Sequence, residues 1–123
     1  MSEKAKTNTN ENEDNLETVM ALIVNGGNAK SSAFEAISAA KEGNFQKADS
    51  KLKEADDFLA KAHNSQSGML TNEAQGKHVP VTLLMVHSQD HLMNAITFRD
   101  LAGEIVALYK RLADSNVTEY KNH

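Results

Sequence analysis

Phe45, Ala48, Leu52, Ala55, Leu59, Ala62, Gln66 and Met69 follow one another at alternating three- and four-residue steps. That rhythm puts all of them on one stripe of an α-helix and packs the stripe against a partner in the manner of a coiled coil. It constrains the chain more than any other feature. Immediately upstream, Glu42-Gly43-Asn44 ends one helix and begins the next, with Gly43 suited to the left-handed position after a helix and Asn44 to the N-cap. So short a connection makes the two helices antiparallel.

The helix before this turn is read from Leu16, Val19, Met20, Ile23, Ala33, Phe34, Ile37 and Ala40, and spans Asn15 to Lys41. Gly26 and Gly27 lie inside it. Each costs about 1 kcal/mol against alanine in a helix interior, so they mark either a bend or the close approach of another backbone or a ligand, with packing the preferred reading. After the second helix, residues 71–79 with Gly76 form a connection in which His78 is exposed. Pro80 then suits the first turn of a third helix that runs to Ala113. In its first half this helix is apolar nearly all round. A helix of that kind is covered on more than one side, so self-association through it is expected. The expected fold is all-α: an antiparallel three-helix bundle over residues 15–113, between a flexible tail at 1–14 and a frayed one at 114–123.

Composition removes several functional classes. A net charge of −4 without a run of Lys or Arg argues against a nucleic-acid binder, which needs a basic stripe. The absence of cysteine excludes disulfides, thiol nucleophiles and zinc–thiolate sites. With no apolar leader and no long apolar run, a cytoplasmic protein without membrane insertion is expected. His63 and Gln66 interrupt the apolar character of the second helix, and His63 is read as a hydrogen-bonded structural residue.

The chemistry lies in Val86-His87-Ser88-Gln89-Asp90-His91-Leu92-Met93. On a helix His87, His91 and Asn94 share one stripe, and Asp90 lies about 60° to its side. Three readings stand. A polar helix face fits poorly among so many apolar neighbours, because burying unpartnered imidazoles and a carboxylate is costly. A metal site is possible at this spacing, above all if Asp90 from three copies converges on one cation. Nucleophilic catalysis is the third, since a neutral imidazole has a ring-nitrogen lone pair that accepts a phosphoryl group.

The octapeptide resembles the signature of the IIA component of the lactose/cellobiose-type sugar phosphotransferase system, His-(Ala/Gly/Ser)-Gln-Asp-His-Leu-Met. The resemblance extends to three other places. Asn25-Gly26-Gly27-Asn28-Ala29-Lys30-Ser31 is similar to the family's Gly-x-Ala-Arg-Ser segment, with Lys30 where Arg is usual. Glu42-Gly43-Asn44-Phe45 resembles its Gly-Asp-Phe turn, and Ala62-His63-Asn64-Ser65-Gln66-Ser67 its Ala-His-x-x-Gln-Thr. It implies a cytoplasmic homotrimer, a nine-helix bundle. His87 would accept a phosphoryl group from phospho-HPr and pass it to a cysteine of the IIB component. IIC lies downstream, importing a disaccharide that the system phosphorylates. Asp90 would hold a divalent cation, Mg2+, on the trimer axis in a structural role. The first-helix sequence Val19 to Gly27 is closer to the cellobiose/chitobiose branch than to the lactose branch, which stays the alternative.

A phosphohistidine that forms and breaks readily is suited by a few neutral donors rather than an arginine clamp. Gln89 lies about 200° round the helix from His87, so it is expected to serve a neighbouring subunit's His87, with His91 or Asn94 completing the phosphoryl pocket. The competing class is a non-catalytic metal-stabilised helical scaffold that keeps Asp90 alone.

Overall fold

The computed structural model describes the backbone of residues 2–122 and the side chains of residues 15–115. It contains three helices, α1 Ser2–Lys41, α2 Phe45–Ala74 and α3 Leu83–Asn122, and no strand among the described residues. The expected tails at 1–14 and 114–123 lie, Asp114 and Ser115 excepted, outside the described side chains.

The α1–α2 turn follows its sequence. Gly43 has φ +82°, and the amides of Gly43 and Asn44 return to the carbonyls of Ala40 and Ala39 at 3.0 and 2.9 Å, a Schellman ending. The Asn44 side chain then accepts from the Lys47 amide at 3.1 Å and caps α2. The far end of α2 repeats the motif. Gly76 has φ +85°, and the amides of Gly76 and Lys77 return to Glu73 and Asn72 at 3.1 and 2.8 Å. The helix therefore reaches Ala74 instead of stopping before Thr71, because nothing in Thr71-Asn72-Glu73-Ala74 breaks it and the terminator is Gly76. The start of α3 also shifts. Thr82 is its cap, with Oγ1 accepting from the Met85 amide at 3.1 Å and its carbonyl from the Val86 amide at 3.0 Å, so Pro80 precedes the helix rather than opening it.

The buried layers are built largely of alanine. One joins Ala36, Ala39, Ala40, Ala48 and Val106, a second Ala29, Ala33, Ala55 and Ala102, and a third Leu22, Ala62 and Leu92. Half-buried Phe45, Leu52, Phe58, Leu59, Met69 and Ile96 close their rims. The α2 seam is thus the core seam its spacing indicated. α1 packs along both other helices, while α2 and α3 meet less extensively. Polar pairs hold that thinner side: Arg99 to Asp56 at 2.6 and 3.0 Å, Lys110 to Asp49 at 2.8 and 3.0 Å. Exposed pairs of this kind contribute about 0–1 kcal/mol each, so they set register more than stability.

A second stripe of α3 has no counterpart among the described residues. Leu83, His87, Asp90, Asn94, Leu101, Ile105, Leu108 and Leu112 are all exposed and fall within about 60° of one another round the helix. The upper part of this stripe is polar and the lower part is aliphatic. It runs opposite the buried face of Ser88, Leu92, Ala95, Ala102 and Val106. Leu16, Met20 and Val24 give α1 an exposed apolar ridge as well. Among the described residues no helix is long and apolar enough to cross a membrane.

Candidate functional site

The octapeptide lies in the second and third turns of α3, where rotation by about 100° per residue sorts its side chains onto different faces. His87 and Asp90 are exposed, His91 is half-buried, Ser88 and Leu92 are buried, and Gln89 is half-buried on the side of α2. Ser88, wholly enclosed, satisfies its hydroxyl by donating to the Met85 carbonyl at 2.7 Å. Position 88 therefore has room only for a small side chain. Leu92 belongs to the third buried layer and anchors this part of α3.

His87 and His91, four residues apart, come face to face with ring centroids 5.9 Å apart and planes 27° from parallel. Behind His91 lie the two glycines of α1. A Cβ on Gly26 would stand 3.1 Å from His91 Cδ2 and 3.7 Å from the Leu92 Cα, and one on Gly27 would stand 3.5 Å from His91 Nε2. Of the two readings of the glycine pair, close approach is the one realised. α1 continues through it as one helix, and the backbone clears a place for an imidazole. About 2 kcal/mol of helix propensity is given up at these adjacent positions, and what stands in the cleared space is the second histidine of the signature.

Gln89 is placed differently from its expected reach toward a neighbouring subunit. Its Oε1 accepts from Gln66 Nε2 at 2.7 Å, and its Nε2 lies 3.9 Å from Met69 Sδ and 3.8 Å from Met85 Sδ. The amide is engaged by α2 of its own chain. Gln66 was visible in the sequence as the polar break in the α2 seam, but its partner was not, since periodicity ranks faces without pairing them. Asn94 is exposed one turn beyond His91 on the stripe of His87. His63 is exposed, with Ser67 Oγ 3.5 Å from its Nε2. Lys30, where the family pattern has Arg, lies with its Nζ 5.9 Å from the centre of the Phe98 ring, within range of a cation–π contact.

Among the described residues of one chain, no three His, Cys, Asp or Glu side chains gather to hold a metal ion. Each chain offers Asp90 as one exposed carboxylate on the outer stripe of α3. A hard oxygen donor suits Mg2+ in kind, and only copies of the chain brought together would raise the number of such donors. A cavity of about 490 Å³ is lined by Leu16, Val19, Val79, Pro80 and Leu84 among others, and includes none of His87, Asp90, His91 or Asn94. His87 is exposed on α3 and lies outside this cavity.

The comparisons with known proteins agree with this geometry. Residues 17–110 match the family model described as the PTS system, Lactose/Cellobiose specific IIA subunit. The chain is 48% identical to the lichenan-specific phosphotransferase enzyme IIA component of Bacillus subtilis, over 84% of this chain and 94% of that one. Among solved structures it is similar to the cellobiose-specific enzyme IIA of Bacillus anthracis, with a TM-score of 0.78, 41% identity, and 80% and 90% of the two chains covered. It also resembles the chitobiose IIA of Escherichia coli, solved in complex with HPr, with a TM-score of 0.69, 35% identity, and 79% and 94% covered. With the signature, the turn and the three-helix fold all in register, the chain belongs to the lactose/cellobiose-specific IIA family, the phosphotransferase components of sugar phosphotransferase systems.

Proposed function

We propose that His87 carries the phosphoryl group, accepting it from phospho-HPr and delivering it to a cysteine of a IIB component in the cytoplasm. The observation that carries this reading is an exposed imidazole at the signature position, backed on one side by His91. In the first transfer a ring-nitrogen lone pair of His87 forms the new N–P bond. The bond from phosphorus to the donor breaks, and its electron pair leaves with the donor. In the second, a thiolate of IIB attacks phosphorus and the N–P electron pair returns to His87. No group on the chain is consumed. The similarity to a IIA protein solved with HPr supports the first partner.

The assembly completes the proposal. Three copies pack their outer α3 stripes about one axis, with Leu101, Ile105, Leu108 and Leu112 as apolar layers and Asp90 as a polar layer that gathers three carboxylates. A divalent cation, Mg2+, fits that layer and offsets the repulsion among them. Asp90 would hold it in a structural role, and the chemistry of transfer stays with His87. The sugar served is a β-disaccharide, cellobiose or chitobiose, with lactose as the alternative. The similar proteins carry the names of lichenan, cellobiose and chitobiose systems, so the shared fold does not choose among sugars.

The test is direct. Purified protein is incubated with phosphoenolpyruvate, enzyme I and HPr, and acid-labile, base-stable phosphate is measured on it. Label is expected on the wild type and none on His87→Ala. An unlabelled wild type would favour the metal-stabilised scaffold and end the carrier reading.

A further inference from the structure

We propose that Gly26 is a positioning residue for phosphoryl transfer, acting on His87 through His91. The inference rests on His87 being the acceptor and adds what holds that acceptor still. His87 is exposed, and an exposed imidazole on a helix samples several staggered rotamers. Transfer between two nitrogens, or from nitrogen to sulfur, requires the attacking lone pair in line with the breaking bond, and small angular errors reduce the rate. Something must narrow the choice of rotamers.

The structure sets α1, His91 and His87 side by side in that order. The Cδ2–Nε2 edge of His91 lies against Gly26 and Gly27 of α1, and the His91 ring lies alongside that of His87 at 5.9 Å. α1 backbone, His91 and His87 form a stack in which the first member is rigid and the last is the acceptor. The two glycines are not equivalent. A methyl on Gly27 would make ordinary contact at 3.5 Å, whereas one on Gly26 would stand 3.1 Å from the ring, with the Leu92 Cα a further 3.7 Å contact on that side. Leu92 is fully buried in its layer, so the backbone cannot move aside easily. The ring must yield, and the member it leans on is His87. Gly103 shows the contrast: a Cβ there would meet only the end of the Arg99 side chain, so nothing near the signature would be displaced.

The experiment uses the full chain and the reconstituted phosphoenolpyruvate, enzyme I and HPr relay. Rapid-quench rates of His87 phosphorylation are measured for wild type, Gly26→Ala, Gly27→Ala, His91→Ala and Gly26→Ala combined with His91→Ala. The 15N–1H correlations of the His87 ring are recorded alongside. Gly26→Ala is expected to slow transfer about tenfold, the scale for a displacement of a few tenths of an ångström at a site where 1 Å costs about a hundredfold. It should also shift the His87 ring signals, while helicity and particle mass stay as in the wild type. Gly27→Ala should remain within about twofold, since its contact is only van der Waals. With His91 removed, adding Gly26→Ala should change nothing further, the mark of coupling through that ring. If Gly26→Ala transfers at the wild-type rate with unmoved His87 signals, the proposal is overturned. It is equally overturned if the two substitutions multiply independently. Should Gly26→Ala fail to fold, His91→Ala decides alone: it must slow transfer and alter the His87 signals, and a wild-type rate rejects the stack. Failure of the carrier reading looks different, because the wild type itself then takes no label.

Discussion

Replacing Leu101 with aspartate tests whether the outer stripe of α3 is where copies of the chain meet. Leu101 is 57% exposed and belongs to none of the three buried layers. Fully burying a leucine is worth about 1.5–3 kcal/mol, so covering the exposed share of this one contributes roughly 1 kcal/mol per copy. Ile105, Leu108 and Leu112 are 36%, 56% and 49% exposed, and four such layers in three copies give on the order of 10 kcal/mol of gross apolar drive. Aspartate at position 101 removes one layer and adds three carboxylates to be desolvated at several kcal/mol each. The summed penalty, roughly 10 kcal/mol per trimer, cancels the drive. Light scattering on a size-exclusion column, at micromolar protein, reads the mass directly. The wild type is expected at three chains and Leu101→Asp at one, with the helical circular dichroism of the variant preserved. A Leu101→Asp trimer would refute the outer stripe as the interface. A loss of helicity would refute the view that the three layers suffice to fold one chain.

Three further substitutions probe the chain itself. Leu92→Ala removes three carbons from a fully buried site, and with the resulting cavity should lower unfolding stability by about 3–4 kcal/mol in urea titration; a change under 1 kcal/mol would contradict that packing. Gly68→Ala should instead stabilise α2 by up to about 1 kcal/mol, because a Cβ there meets nothing within 4 Å; destabilisation in the same titration would reveal a contact that the structure lacks. Lys51 joins Glu35 of α1 at 2.8 Å and Glu54 at 3.0 Å. The hydrogen bond and charge of Lys51 hold the Glu35 carboxyl below the usual carboxylate range, and the hydrogen bonds that the Lys51 ammonium donates to Glu35 and Glu54 raise its own pKa. A lowered acid contributes above its unfolded pKa and is lost as pH falls through its folded one. A raised base contributes below its unfolded value and is lost as pH rises through its folded one. Wild type and Lys51→Met should therefore differ most in melting temperature near neutral pH, and the gap should close toward both extremes; a gap that is constant with pH would sink the ion-pair account.

How much of this was legible in the residues depended on whether the signal was local. The three- and four-residue steps of α2 and the pair Gly43 and Asn44 each carry their own physics, and the helix and turn formed as that physics dictates. Helix ends were read less well where two signals competed. Pro80 was a permissible helix start, but Thr82 has the side-chain oxygen that caps one. The polar run after Leu70 resembled a loop until the positive φ of Gly76 placed the end later. At the site, helical rotation separated His87 and His91 from Gln89 correctly, and the two histidines do meet. What rotation could not supply was the identity of cross-helix neighbours. Gln89 points away from His87 as reckoned, yet its amide is taken by Gln66 of the same chain. The glycine pair announced a close approach, and only the packed helices identify His91 as what approaches.

The alanine core narrows the substitutions the interior can accept. Ala29, Ala33, Ala36, Ala48, Ala55, Ala62, Ala95 and Ala102 have no exposed surface at all, and a larger side chain at any of them would have to push two helices apart. Shortening one to glycine weakens the helix without opening much space. The usable alphabet at these positions is close to alanine and serine, and Ser32 and Ser88 already occupy two such buried places. In a saturation-mutagenesis map the intolerant columns would then include the smallest residues of the chain beside buried Leu22 and Leu92, and the exposed large apolar residues would form the variable surface wherever they do not face another copy.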